Sequence, residues 1–163
     1  MPNPKDYLAN VQFLLEALTY LPIQKIVTEQ YPQGLGSTDK TLNPYLYNVP
    51  TYAKTQFNAC IPEVLEHITD SIQYVVIIGT ETSICVEQTA HQLLADYPKL
   101  QLSLIRDALI ARNPIEHEWV LNQRQADGAT LLSSESFLYR LLADSTHPNF
   151  KAISRLVKKR HHQ

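Results

Sequence analysis

The spacing of apolar positions changes several times along this chain, and each change marks an element. Tyr7, Leu8, Val11, Leu14, Leu15 and Leu18 recur at steps of three and four, which predicts an amphipathic helix. Asn3-Pro4 supplies its start, an N-cap followed by a proline whose missing N–H has no partner to lose in the first turn. After Pro22 the run IQKIVT reads as a short buried strand, and Ile61, Leu65, Ile68 and Ile72 predict a second helix. YVVIIG (74–79) is a continuous apolar run, the pattern of a parallel strand buried on both faces. Val86, Ala90, Leu93 and Leu94 predict a third helix that stops before Pro98, and LQLSLI (100–105) is a strand closed by Arg106-Asp107. Asn113-Pro114 with Glu116 has the form of a capping box and opens a fourth helix. ATLLSS is a short strand, and Ser133 or Ser134 caps a helix bearing Phe137, Leu138, Leu141 and Leu142. Pro148 opens a last helix with Phe150, Ile153, Leu156 and Val157.

Strands that alternate with helices predict an α/β fold: three layers, a mostly parallel, Rossmann-like sheet with helices on both faces. Ligands of such sheets bind beyond the carboxyl ends of the strands, and Gly79-to-Cys85 lies at such an end. Residues 29–57, rich in Pro, Gly and Tyr, are too long for a simple connector and read as a functional loop.

Charge and cysteine usage narrow the partners. A net charge of −2 gives no electrostatic ground for nucleic acid or an anionic membrane. No apolar run reaches the roughly 18–20 residues of a membrane span, and the amino terminus carries no leader or lipidation pattern. Cys60 and Cys85 form no CxxC motif and no disulfide framework, so a reducing cytoplasm is expected. The length suits one domain over 1–158 with a solvated basic tail at 159–163.

Cys85 is the candidate for chemistry. It follows the strongest strand and opens a helix, where free N–H groups and the positive end of the helix dipole favour a thiolate. The same amides can receive an oxyanion. The competing account is a small buried hydrophobe, the role of most free cysteines. Cys60, also at a helix start but with no strand aiming it at a cleft, reads as structural.

TEQYPQGLG (28–36), AKTQF (53–57), GTETSICVEQTA (79–90) and HPNFKAISRLVK (147–158), in this order, resemble the isochorismatase-like cysteine hydrolases, and among them the isochorismatase-domain-containing subgroup. The resemblance implies a six-stranded parallel sheet of order 3-2-1-4-5-6 and an Asp–Lys–Cys triad. Cys85 matches the nucleophile and Lys54 the lysine. The Thr80–Glu81 peptide matches a cis bond that turns the Glu81 amide toward the oxyanion, beside the amide of Cys85. Relatives imply a homo-oligomer.

The third triad member, an aspartate, closes the family's first strand, the central one. Here a helix already begins near Asn3, so that strand and its acid have no counterpart in the sequence. Three outcomes follow: a strand lying upstream of this sequence, direct pairing of IQKIVT with YVVIIG, or a strand donated by another molecule. Glu29 and Asp107, each after a strand, are candidate substitute acids. The alternatives are that Glu29 contacts neighbouring loops and Asp107 caps a turn. Tyr31, Tyr45, Tyr47 and Tyr52 either line a pocket or pack a long loop, with Tyr31 and Tyr52 the pocket candidates.

Metal-dependent relatives carry an Asp/His/His cluster after the second strand. TEQYPQGLG has no histidine there, and His67, His91 and His117 lie on predicted helices at no ligand spacing, as surface or helix-face residues. Neither metal nor cofactor is expected. The functional expectation is a cysteine hydrolase of a small amide, imide or related acyl substrate. Its alternatives are a non-catalytic binder that has lost its base, and a redox-responsive thiol protein.

Overall fold

The computed structural model describes residues 3–161, the side chain of His161 excepted. In chain order it comprises α1 (Pro4–Leu18), β1 (Val27–Gln30), α2 (Pro32–Leu35), a 3-10 turn over Lys40–Tyr45, β2 (Thr51–Lys54) and α3 (Pro62–Leu65). There follow β3 (Tyr74–Thr80), a π-helical turn over Thr82–Val86, α4 (Glu87–Asp96), β4 (Gln101–Ile110), α5 (Pro114–Ala126), β5 (Thr130–Leu132), α6 (Ser134–Leu142) and α7 (Phe150–His161).

Local chemistry starts the helices where the sequence places them. Asn3 accepts the Lys5 N–H at 3.0 Å, Asn113 that of Ile115 at 3.0 Å, and Ser133 that of Ser136 at 3.1 Å. Each cap contributes about 1 kcal/mol by pairing an N–H that the helix leaves free. The predicted second helix does not continue. Only Pro62–Leu65 is helical, because Ile72 donates its N–H to the Thr69 carbonyl and the hydroxyls of Thr69 and Ser71 bond each other at 2.8 Å. Ile68 and Ile72 therefore sit in turns, although their spacing is helical.

Among the described residues the strand pairs are all parallel, in two separate sheets: β1–β2, and β3–β4–β5. β4 is central to the larger sheet and reaches both cores. Leu102, Leu104 and Leu109 join Val86, Ala90, Leu93 and Leu121 on the face covered by α4 and α5. Ile105 and Ala108 join Leu14, Leu18, Leu138 and Ile153 on the face covered by α1, α6 and α7. Fully burying each such Leu or Ile contributes about 1.5–3 kcal/mol.

Two expectations about strands are corrected. IQKIVT and YVVIIG do not pair with each other; the first strand is Val27–Gln30, and it bonds only β2 among the described residues. YVVIIG keeps its two-faced alternation, with Val75 and Ile77 toward one core and Val76 and Ile78 toward the other. Those four are half-buried rather than buried. Among the described residues only one edge of β3 carries a strand, so its flanks are not enclosed on both sides.

In the basic end as far as it is described, Lys158 and Lys159 are exposed, as a solvated tail would be, and Arg160 is the exception. Residues 159–161 belong to α7, and the Arg160 guanidinium bonds Asp107 at 2.7 Å and Asn10 at 2.8 Å. It also lies 4.6 Å from the centre of the Phe13 ring. Residues 162 and 163 lie outside the described residues. No helix among those described is long and apolar enough to cross a membrane.

Candidate active site

The carboxyl ends of the two sheets converge. β2 ends on Lys54, register-paired with Gln30 at the end of β1, so both side chains leave the same edge of the smaller sheet. β3 ends at Thr80, the Thr80–Glu81 peptide is cis, and the chain winds directly into the π-helical turn that carries Cys85. The carbonyl of Glu81 accepts the N–H groups of Ile84 at 3.1 Å and Val86 at 3.2 Å, which wraps the turn about that oxygen. Lys54 Nζ then lies 3.8 Å from Cys85 Sγ, across the seam between the sheets.

Lys54 is 7% exposed and anchored on three neutral oxygens: Gln30 Oε1 at 2.6 Å, the Phe57 carbonyl at 2.7 Å and the Gln56 carbonyl at 3.1 Å. No carboxylate pairs with it among the described residues. Three acceptors for three ammonium hydrogens fix the head group and leave its full charge for whatever anion forms beside it.

Gln30 is the site residue that sequence reasoning missed. Its Oε1 accepts from Lys54 and stands 3.9 Å from Cys85 Sγ, while its Nε2 donates to the Thr55 carbonyl at 2.6 Å. A neutral amide has no charge signature, and the only available signal was its place inside TEQYPQGLG.

The candidate substitute acids are engaged elsewhere. Glu29 Oε1 accepts both the N–H and the hydroxyl of Thr38 at 2.7 Å, so it ties β1 to the following loop. Asp107 Oδ1 accepts the Ser134 N–H at 2.7 Å and the Ser134 hydroxyl at 2.9 Å, and Oδ2 accepts Arg160. It joins β4 to α6 and α7. The Glu81 carboxylate pairs with Arg112 Nε at 2.6 Å.

Tyr31 has a left-handed backbone (φ 40°) and lines a cleft of about 320 Å³ with Lys54, Thr55, Gln56 and Ile61. Tyr52 is not on that wall; its hydroxyl is held by His67 Nε2 at 2.9 Å, and His67 Nδ1 by Gln24. Tyr47 is exposed and Tyr45 packs against the core. A second cleft, about 460 Å³, is lined by Glu81, Ser83, Ile84 and Arg112, beside the turn that carries Cys85.

Cys60 is buried, and that burial, with Asp96 nearby, pushes its thiol pKa up to about 11. It is a packing residue beside Thr89. The three histidines have separate partners: Tyr52 and Gln24 for His67, Arg124 for His91, Thr82 for His117. His117 is buried on the inner face of α5, which presses it onto the turn that carries Cys85.

A doubly wound parallel α/β scaffold that sets a cysteine beside a buried lysine at the strand ends defines a class of proteins with a thiol-centred site. The family model described as the isochorismatase domain matches residues 2–136, and the chain belongs to that family. It is 32% identical to isochorismatase domain-containing protein 1 of Danio rerio over 155 residues, 94% of this chain and 54% of that protein. Isochorismatase domain-containing protein 2 of Bos taurus is 35% identical over 147 residues, 89% of this chain and 70% of that one. A solved structure from Caenorhabditis elegans, described as MAR1 ribonuclease, superposes with a TM-score of 0.89 at 34% identity, covering 96% of this chain and 80% of that one. This chain thus spans about half the length of the fish relative.

Proposed function

We propose that this chain is a cysteine-dependent hydrolase of a small amide, imide or related acyl compound. The observation that carries the reading is the 3.8 Å approach of a buried lysine, paired with no carboxylate among the described residues, to the sulfur of Cys85. The Cys85 thiol releases its proton to solvent, and the thiolate attacks the acyl carbon, forming a C–S bond. The negative charge that moves to the carbonyl oxygen faces the amides of Glu81 and Cys85. The C–N bond then breaks, and the amine leaves with a proton from water. A second water cleaves the thioester, giving the carboxylic acid and the free thiol. Operation through a free thiol suits a reducing compartment.

A second reading, a small-molecule binder without turnover, is favoured by one observation. Gln30, which cannot take up a proton at neutral pH, fills the acceptor position beside Cys85 and Lys54. The experiment is intact-protein mass spectrometry after mixing with a panel of small amides, imides and esters, with Cys85→Ser as control. A transient adduct of acyl mass on Cys85, with acid released, supports the hydrolase. Thermal stabilisation by a panel member with neither adduct nor product supports the binder. A short RNA is included because of the neighbour's description; the net charge of −2 argues against it, and its cleavage would overturn both readings.

A further inference from the structure

The nucleophile's turn is held from behind by a side chain no motif points to. Thr82, the first residue of that turn, is 0% exposed, and its hydroxyl meets His117 Nδ1 at 2.9 Å. His117 is itself 3% exposed and sits in the first turns of α5, where its N–H donates to the Asn113 carbonyl at 3.0 Å. We propose that His117 is a positioning residue for Cys85, acting through Thr82, an inference that rests on Cys85 being the nucleophile.

The geometry makes the link short. The peptide between Glu81 and Thr82 carries the carbonyl about which the turn is wound, receiving Ile84 and Val86 on either side of Cys85. Thr82 is β-branched and stiff at χ1, so a hydroxyl held by His117 anchors the Thr82 Cα and limits how far the peptide that enters it can turn. Rotation there moves the Glu81 carbonyl, the two amides it holds and the cysteine between them. Arg112, at the start of the link into α5, holds Glu81 through its Nε, so the turn's first residue and the one before it are both gripped from the β4–α5 corner. Burial disfavours the cationic imidazole, and a neutral ring with a hydroxyl partner is self-consistent in either tautomer.

The test compares His117→Asn, whose amide reaches where Nδ1 stands, with His117→Gln, which reaches toward Nε2, and with His117→Leu. The readout is the alkylation rate of Cys85 by iodoacetamide at pH 7, each variant kept well below its unfolding temperature. His117→Asn is expected within twofold of the parent, and the Gln and Leu variants at least tenfold slower. Thr82→Val is expected to match His117→Leu and Thr82→Ser the parent, with the Val/Leu double variant no slower than either single. The Thr82 pair decides the matter if the Leu variant does not fold. A fall of less than threefold in the folded Leu and Val variants overturns the proposal, as does an Asn variant as slow as Leu. These ratios read the role of His117 whatever the parent's absolute rate. That absolute rate, compared with a free thiol, reads the hydrolase proposal separately.

Discussion

Replacing Asp107 by Asn separates a structural acid from a catalytic one. The carboxylate accepts three side-chain or main-chain bonds: two from Ser134 onto Oδ1 and one from Arg160 onto Oδ2. It also stands at the amino end of α6, where a negative charge is favoured. In the Asp107→Asn variant the amide oxygen can keep both Ser134 bonds, but as neutral ones. The amide nitrogen then faces the Arg160 guanidinium, donor against donor. A bond to a charged partner contributes about 1.5–3 kcal/mol and a neutral one about 1. With the Asp107 and Arg160 side chains about a quarter exposed, solvent screening reduces the ionic part, so the expected loss is about 2–3 kcal/mol. For a chain of this size each kcal/mol lowers Tm by about 2–4 °C, which gives a fall of about 4–12 °C by circular dichroism. Cys85 alkylation in the native state should stay within twofold of the parent. Arg160→Met should be non-additive with Asp107→Asn, since the two share a bond. A Tm change below about 1 °C, or loss of Cys85 reactivity at unchanged Tm, would refute the reasoning and return Asp107 to the site.

Glu29→Ala should cost about 1–3 kcal/mol by stranding the Thr38 donors and speed amide exchange over residues 36–46, with Cys85 labelling unchanged; slower exchange would contradict the loop-tie account. Iodoacetamide at pH 8 should place one adduct on Cys85 and none on Cys60, whose thiol is held up to about 11; peptide mapping that finds Cys60 modified in the folded protein would contradict its burial. The lowered basicity of His117 has a signed consequence for stability. Below its ordinary value of 6.5 the unfolded chain takes up a proton that the folded chain resists. The contribution is therefore present above about pH 6.5 and is lost as pH falls toward and through the depressed folded value. Urea midpoints from pH 8 to 5 should fall less steeply in His117→Asn than in the parent.

Much of the architecture was legible because local chemistry and packing agree. Asn3, Asn113 and Ser133 cap the helices they announce, and Leu102, Leu104 and Ile105 mark a strand enclosed on both faces. β2 was not legible: Thr51–Lys54 carries little apolar pattern inside a Pro- and Tyr-rich segment, since only Lys54 of its four residues is buried. α3 was overextended because apolar spacing continues after the hydrogen bonding has turned. In the site, Cys85 and Lys54 carry motif and charge, whereas Gln30 and His117 act through neutral hydrogen bonds between elements far apart in sequence. Arg160 was misread for the opposite reason. A basic cluster looks solvated until the fold sets Asp107 and Asn10 beside one of its members.

The seam has a mechanical meaning. Lys54 and Gln30 ride on one sheet and Cys85 on the other, and no ladder of backbone bonds joins the two among the described residues. Contacts that cross the seam are few: Gln30 Oε1 at 3.9 Å from Cys85 Sγ, Ala59 bonded to Thr89 at 2.9 Å, and Asn58 bonded to Gln92 at 2.6 Å. The Lys54–Cys85 distance, on which the proposed chemistry rests, is thus the width of a joint between two sheets. Any load that spreads or closes that joint will be read first at the sulfur.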